Sequence, residues 1–300
     1  MNLNKIVFWE HKYHTHTHSY IYYGFKRAFE HLGYKTEWYG NDDDVSGVDF
    51  SNSLFFVTND HEKVPKRNDC YYVLHNPTKY EWYSHIDAKR KLLIQVHTIH
   101  LKVINSKKID DGIYFDNRVL YFPWATDLLP HEIDQNITNL DYIRTTNKVN
   151  FVGMFFEPWN PVIEFCKNNG LEFTHRGGFE GNNISTEENQ KLIQESVIAP
   201  SIQSKWQVDN GYIPCRIFKN ISYGKMGITN SRVVFELFQG KIVYDPDTYE
   251  ACRKGLQYEE KPDTKLMVEL MNVVKEKHTY LNRIQTIFDC FKELELLSIA

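Results

Sequence analysis

The alternation of apolar and polar segments along the first third of the chain predicts strands joined by polar loops. Lys5 to Glu10 is apolar and extended, the stretch through His18 is polar, and Ser19 suits the N-cap of a helix. Tyr22, Phe25, Phe29 and Leu32 then share one helical face, and Gly33 is placed to end that helix. Lys35 to Tyr39 reads as the next strand, which completes a βαβ unit of the kind that builds parallel sheets. Further apolar runs at Leu54 to Val57, Tyr71 to Leu74, Leu92 to Val96 and Val119 to Phe122 predict more buried strands. Several connections between them are too short for full helices, so an irregular Rossmann-like layer is expected.

From Leu128 to Lys148 the chain turns polar, with Pro130 near its start, and this segment is expected to link two domains, residues 1–140 and 141–300. Beyond it the alternation resumes. Strands are predicted at Val149 to Met154, Leu171 to Thr174, Val197 to Ile202 and Met226 to Thr229. Helices are predicted around Val162 to Asn168, after Ser185 with Glu188 at the capping-box position, from about Pro214 to Tyr223, and from about Ser231 to Phe238. Two more, roughly Thr264 to Lys277 and Thr279 to Leu297, close the second domain. The expected fold class is α/β, with two Rossmann-like domains facing across a cleft, where ligands of such sheets bind.

Composition narrows the partners. A net charge of −4 gives no polybasic field, which argues against general nucleic-acid binding while permitting a local basic pocket. The beginning of the chain, MNLNKIVFWEHK, lacks the apolar core of a secretory signal, and no run of about 18 apolar residues is present to span a bilayer. A cytoplasmic protein without a transmembrane segment is therefore expected, with peripheral membrane contact still open. Cys70, Cys166, Cys215, Cys252 and Cys290 are scattered and form no CxxC pair, so reduced thiols are expected rather than zinc or redox chemistry. The 19 Tyr, 19 Phe and 6 Trp suit both cores and sugar-stacking surfaces and decide little.

The stretch from Ser201 to Glu236 carries most of the chemistry. Pro214 suits a helix start, and Arg216 just inside it could fork onto phosphate oxygens beside the positive helix end. Thr229, Asn230 and Ser231 form a second loop-to-helix entry, able to cap that helix or to bind phosphate. The run Arg216-Ile-Phe-Lys-Asn-Ile-Ser-Tyr-Gly224 resembles the R-x-F-E-x-x-A-x-G signature in the donor domain of many GT-B glycosyltransferases. VNFVGMF from Val149 likewise resembles the strand that opens that domain, and FPWATD from Phe122 the segment before it.

The resemblance implies a sugar moved from a nucleoside diphosphate sugar to a hydroxyl, with no cofactor and no required metal. It further implies a glycan or lipid-linked glycan acceptor. Arg216 would hold the diphosphate, and Gln203, Ser204, Thr229, Asn230 and Ser231 would contact phosphate and base. The chain departs from the signature at Lys219, where the family has an acidic residue for the ribose hydroxyls. Glu236 is a possible substitute, while Lys219 and Lys225 could add positive charge or simply solvate the surface.

His14-Thr-His-Thr-His18 lies between the first strand and the first helix, at the carboxyl edge of a parallel sheet. Several GT-B enzymes that this chain resembles in layout take a base from that loop, and an imidazole with a pKa near neutrality suits the role, so His18 or His16 is the candidate. A metal site and a polar loop without a role are the alternatives. His14, His75, Asn76, His97 and Trp124 are candidates for the acceptor side, each equally readable as a packed or hydrogen-bonded residue. Asp42, Asp43 and Asp44 follow the second strand and read as a solvated turn rather than a metal-binding D-x-D. A hydrolase or epimerase built on the histidines, and a binding module without turnover, are the rival functions. Both stereochemical outcomes of transfer remain compatible with these residues.

Overall fold

The computed structural model describes residues 2–59, 61–98, 106–116, 118–140, 146–154, 159–177 and 183–297. Its contacts divide the chain into two compact units, Met1–Phe122 with Tyr280–Ala300, and Pro123–Thr279.

In the first unit the chain runs β1 (Lys5–Trp9), α1 (Thr17–His31), β2 (Thr36–Tyr39), β3 (Ser53–Thr58), β4 (Tyr71–His75), β5 (Lys91–Gln95), β6 (Lys107–Asp110), β7 (Ile113–Asp116) and β8 (Val119–Tyr121). These form one sheet in the order β2-β1-β3-β4-β5-β8-β7-β6. Neighbours from β2 to β8 are parallel, and the β8-β7-β6 end is antiparallel. Every residue of β1, β3 and β4 is buried, as expected of parallel strands covered on both faces. On one face Val7, Trp9, Phe55, Val57, Tyr72 and Leu74 pack with Phe50, Tyr83 and Ile86. On the other, Phe8 and Phe56 meet Tyr22, Phe25 and Phe29 of α1.

The C-terminal helix, Tyr280–Leu297, belongs to this unit. A Cβ at Gly24 would come within 2.3 Å of the Tyr280 ring, so glycine is what lets α1 approach that helix. Tyr71 donates to Glu295 at 2.7 Å, and the guanidinium of fully buried Arg283 lies 5.7 Å from the Phe122 ring centre. The helix α1 starts at Thr17 with His16 as its N-cap, earlier than the Ser19 cap that the sequence suggests, because the His16 ring accepts from the His18 backbone.

The second unit contains α2 (Pro130–Thr138), β9 (Lys148–Val152), α3 (Asn160–Asn168), β10 (Glu172–Arg176), α4 (Thr186–Glu195), β11 (Pro200–Ser201), α5 (Lys205–Asp209), α6 (Cys215–Ser222), β12 (Ile228–Thr229), α7 (Arg232–Leu237), β13 (Val243–Tyr244), α8 (Thr248–Glu260) and α9 (Thr264–Lys277), the C-terminal helix being α10. Parallel β9-β10 and parallel β11-β12-β13 make its sheets, with the Val197 N–H donating to Lys148 at 2.8 Å. Both units are thus Rossmann-like α/β layers.

The division differs from the one at 140/141. The polar stretch expected to be a linker holds α2, started by Pro130 and closed by the Leu129 N–H donating to Glu132 at 2.7 Å. Leu128 and Ile133 are buried in the core shared by α6 and α9, which binds this segment to the second unit.

Candidate functional site

Arg216 is the second residue of α6, behind the N-cap Pro214. Its guanidinium lies 4.5 Å over the Phe151 ring and 5.7 Å from the Trp159 ring, and those two rings stack at 3.7 Å. This is a cation–π seat, which fixes a planar cation without occupying its N–H donors. Among the described residues no carboxylate pairs with Arg216, and its Nε is buried without a hydrogen-bond partner. Desolvation draws the pKa of the group downward, opposed by Cys215 and Tyr212. An unpaired, desolvated cation at a helix N-terminus is a high-energy arrangement that an anion relieves.

Gly153, just beyond β9, completes the seat. Its φ is 141°, and a Cβ there would come within 2.6 Å of Nη2 of Arg216. Gly153→Ala is therefore expected to lower stability by about 1–3 kcal/mol and to dislodge the guanidinium. Anion affinity should fall more than the melting temperature suggests; unchanged phosphate binding in the alanine variant would contradict this.

The carboxyl ends of β11 and β12 lie side by side, Ser201 opposite Thr229. The Asn230 amide ties the two loops together, accepting from the Gln203 N–H and donating to the Gln203 carbonyl, each at 2.9 Å. Gln203 Nε2 donates to the Tyr212 carbonyl at 2.6 Å, and Thr229 Oγ1 accepts from the Ser231 N–H at 3.1 Å. Ser204 caps α5 in a capping box with Gln207. Ser231 occupies the N-cap position of α7, yet its hydroxyl makes no capping bond. Ser201 Oγ, Gln203 Oε1 and Ser231 Oγ are all buried without hydrogen-bond partners.

Three other residues expected at the donor have these surroundings. The Lys219 ammonium is committed to Asp127 at 2.8 Å, and the same carboxylate accepts from Tyr223 at 2.7 Å. Lys225 is buried, with its pKa pushed down to about 8 by desolvation against the pull of Glu259. Glu236 is exposed and paired with Arg232 at 2.7 Å. Lys219 is claimed by a carboxylate 92 positions away, Glu236 by an arginine one helical turn before it, and Lys225 feels only the field of Glu259.

In the first unit histidines collect beyond the carboxyl ends of β1, β3, β4 and β5. The loop after β1 is strained, with left-handed φ at Glu10 (63°), His11 (47°) and His14 (70°). Trp38 donates to the Glu10 carbonyl at 2.8 Å, the Asn41 N–H donates to the Glu10 carboxylate, and Lys12 pairs with Asp43 at 2.6 Å. His16 and His18 approach Nδ1 to Nδ1 at 3.2 Å. Ring centres lie 4.2 Å apart for His11 and His16, 5.1 Å for His18 and His75, and 5.4 Å for His11 and His61.

Burial first, and neighbouring imidazoles second, push His11 down to about 4 and His18 and His75 down to about 3. His16 is lowered by burial as well. The near-neutral pKa expected of His18 is thus corrected: crowded imidazoles disfavour protonation. His11 and His61 were not singled out by the sequence, although each follows a strand of the parallel sheet and could have been found by that position. His14 lies 3.2 Å from the Tyr20 hydroxyl, Asn76 is exposed with φ 50°, and His97 lowers the pKa of His75. Trp124 is buried in the second unit.

Among the described residues no group of three or more His, Cys, Asp or Glu is arranged to hold a metal ion. Asp43 accepts from the Gly40 N–H at 2.8 Å and Asp44 from the Ser46 N–H at 3.0 Å, the bonding of a polar turn. Among the described residues no helix is long and apolar enough to cross a membrane.

The two Rossmann-like units define the GT-B fold. One solved structure sharing it is an alpha-glucosyltransferase in complex with UDP and a 13-mer DNA containing a central A:G mismatch, with TM-score 0.61 and 9% identity over 97% of this chain and 100% of that one. A glycosyltransferase from Rickettsia africae ESF-5 aligns with TM-score 0.52 and 12% identity over 98% of this chain and 99% of that one. No protein-family model and no curated protein sequence matches the chain.

Proposed function

We propose that the protein is a glycosyltransferase that moves a sugar from a nucleoside diphosphate sugar to a hydroxyl of a glycan or lipid-linked glycan, without a metal. The observation that carries this reading is the Arg216 guanidinium, seated on Phe151 and Trp159 with its Nε unpartnered at the start of α6. Departure of a nucleoside diphosphate develops negative charge, and a fixed cation at a helix N-terminus stabilises it. The fold supports the same reading, since the solved structure with the higher TM-score of the two contains UDP.

The histidine loop is proposed to contact the acceptor. If the reaction inverts the anomeric centre, His16 is the better base, because His18, held at about 3, accepts a proton poorly at neutral pH. The free state of all five cysteines supports action in the cytoplasm.

The test is a thermal-shift panel of nucleoside diphosphates and their sugars, followed by an assay of slow donor hydrolysis. A ligand at a hundred times its Kd stabilises by about 2.7 kcal/mol, a rise of several degrees. No shift with any nucleoside diphosphate at millimolar concentration would refute the proposal. A shift without hydrolysis or transfer would leave a binding module in its place.

A further inference from the structure

His175 lies in β10, where the parallel ladder sets it abreast of Phe151 in β9. Residues paired in this way point to the same face of a sheet, and the two rings lie flank to flank, their centres 5.3 Å apart and their planes 18° apart. The imidazole also reaches past the end of β9, where its Nε2 is 2.6 Å from the Gly153 carbonyl oxygen. A carbonyl only accepts, so Nε2 carries the proton and donates. The Gly153 N–H in turn donates to the Arg176 carbonyl at 2.9 Å, which ties both polar groups of that glycine to β10. At a φ of 141° a glycine left untied has other backbone wells open to it, so these two bonds fix a peptide that would otherwise move.

The Arg216 guanidinium rests on the same two residues. Its carbon lies 4.5 Å over the Phe151 ring, and its Nη2 sits so close to Gly153 that a Cβ there would come within 2.6 Å. We infer that His175 is a positioning residue for Arg216: its Nε2–H fixes the Gly153 peptide, its ring flanks Phe151, and the guanidinium set against both is held in one orientation for a pyrophosphate. A guanidinium meets phosphate as a planar fork, so its orientation counts as well as its charge. Holding the fork ready before the anion arrives lowers the ordering cost of binding.

The inference rests on the nucleoside diphosphate reading of Arg216, and one arm of its test needs no ligand. His175→Phe keeps a ring beside Phe151 and removes the donor. His175→Gln carries an amide N–H at the reach of Nε2, and His175→Asn is one methylene too short for it. The Arg216 Nε–H signal would be followed in proton–nitrogen correlation spectra of the ligand-free protein, assigned by its absence from Arg216→Ala. Calorimetric titrations with inorganic pyrophosphate and with UDP would be run on the same proteins.

The wild type and His175→Gln should give one sharp Arg216 signal and pyrophosphate affinities within about threefold of each other. In His175→Phe and His175→Asn the signal should broaden or vanish, and pyrophosphate and UDP should bind about tenfold more weakly, the worth of one hydrogen bond. A general folding defect would act on the glutamine and asparagine variants alike, so that pair decides the matter even if the phenylalanine variant does not fold. An unchanged signal with unchanged pyrophosphate affinity in His175→Asn, or equal losses in His175→Asn and His175→Gln, overturns the positioning role and leaves the proposed function standing. A signal that depends on His175 in a wild type that binds neither pyrophosphate nor UDP upholds the ordering of Arg216 and refutes the proposed function instead.

Discussion

Arg216→Ala is expected to weaken nucleoside diphosphate binding by about 100- to 1,000-fold. Two charge-assisted hydrogen bonds from a guanidinium to phosphate are worth about 3–4 kcal/mol together, and each 1.4 kcal/mol is a factor of ten in Kd. The fold should hardly notice the change. Loss of the cation–π contacts with Phe151 and Trp159 costs about 1 kcal/mol, and removal of an unpaired, desolvated charge offsets it. Arg216→Lys should recover little, because an ammonium neither lies flat on the Phe151 ring nor forks onto two oxygens. Titration calorimetry with a nucleoside diphosphate, alongside urea unfolding of each variant, separates the two effects. Full affinity in the alanine variant would mean that the anion is bound elsewhere.

The second large effect is a loss of stability between neutral pH and pH 5. His11, His18 and His75 have folded pKa values of about 4, 3 and 3, against 6.5 for the free side chain. When the folded pKa is depressed, the unfolded chain binds the proton first. The histidines therefore contribute their full stability above pH 6.5, and it is lost as pH falls from there toward the folded values. At pH 5 each proton is worth about 2 kcal/mol, and with His11 and His18 only partly buried the sum is on the order of 4 kcal/mol. That is a large share of the roughly 5–15 kcal/mol of a typical domain.

The carboxylates held low by ion pairs, such as Glu37 and Asp69, act only below their ordinary values of 4.5 and 3.8, so the window above pH 4.5 belongs to the histidines. Glu259, raised by burial, has the opposite sign and favours the folded state as pH falls. Urea midpoints at pH 7 and pH 5 should differ strongly in the wild type and much less in a His18→Asn, His75→Asn double variant. Equal midpoints in the wild type would show that the imidazoles are not buried as described.

The sequence was legible where a periodic signal coincided with local chemistry. Apolar runs located β1, β3, β4 and β5 within a residue or two, because strands covered on both faces leave no polar interruption. Ser185 marked the start of α4, where its hydroxyl accepts from the Glu188 N–H at 3.1 Å. The hairpin of β6 and β7 escaped, since Lys107–Asp110 is a mostly exposed edge strand whose side chains carry no burial pattern. The helix α2 escaped because a polar surface helix reads like a linker until its few apolar residues find a core. The attachment of α10 to the first unit rests on contacts with α1, such as Gly24 against Tyr280, between residues far apart in the chain.

For the candidate site the sequence by itself determined the placement of chemistry at element ends: Arg216 at a helix start, histidines after strands, Ser and Asn at loop entries. These follow from local rules of capping, turn formation and strand periodicity, which act over a few residues. Only the tertiary structure decided which groups are neutralised and which are left open. Lys219 found Asp127, whereas Arg216 met the faces of Phe151 and Trp159, and the histidines met one another. The reason is that electrostatic fate depends on separation in space and on distance from water, and folding sets both through contacts that the order of residues does not display.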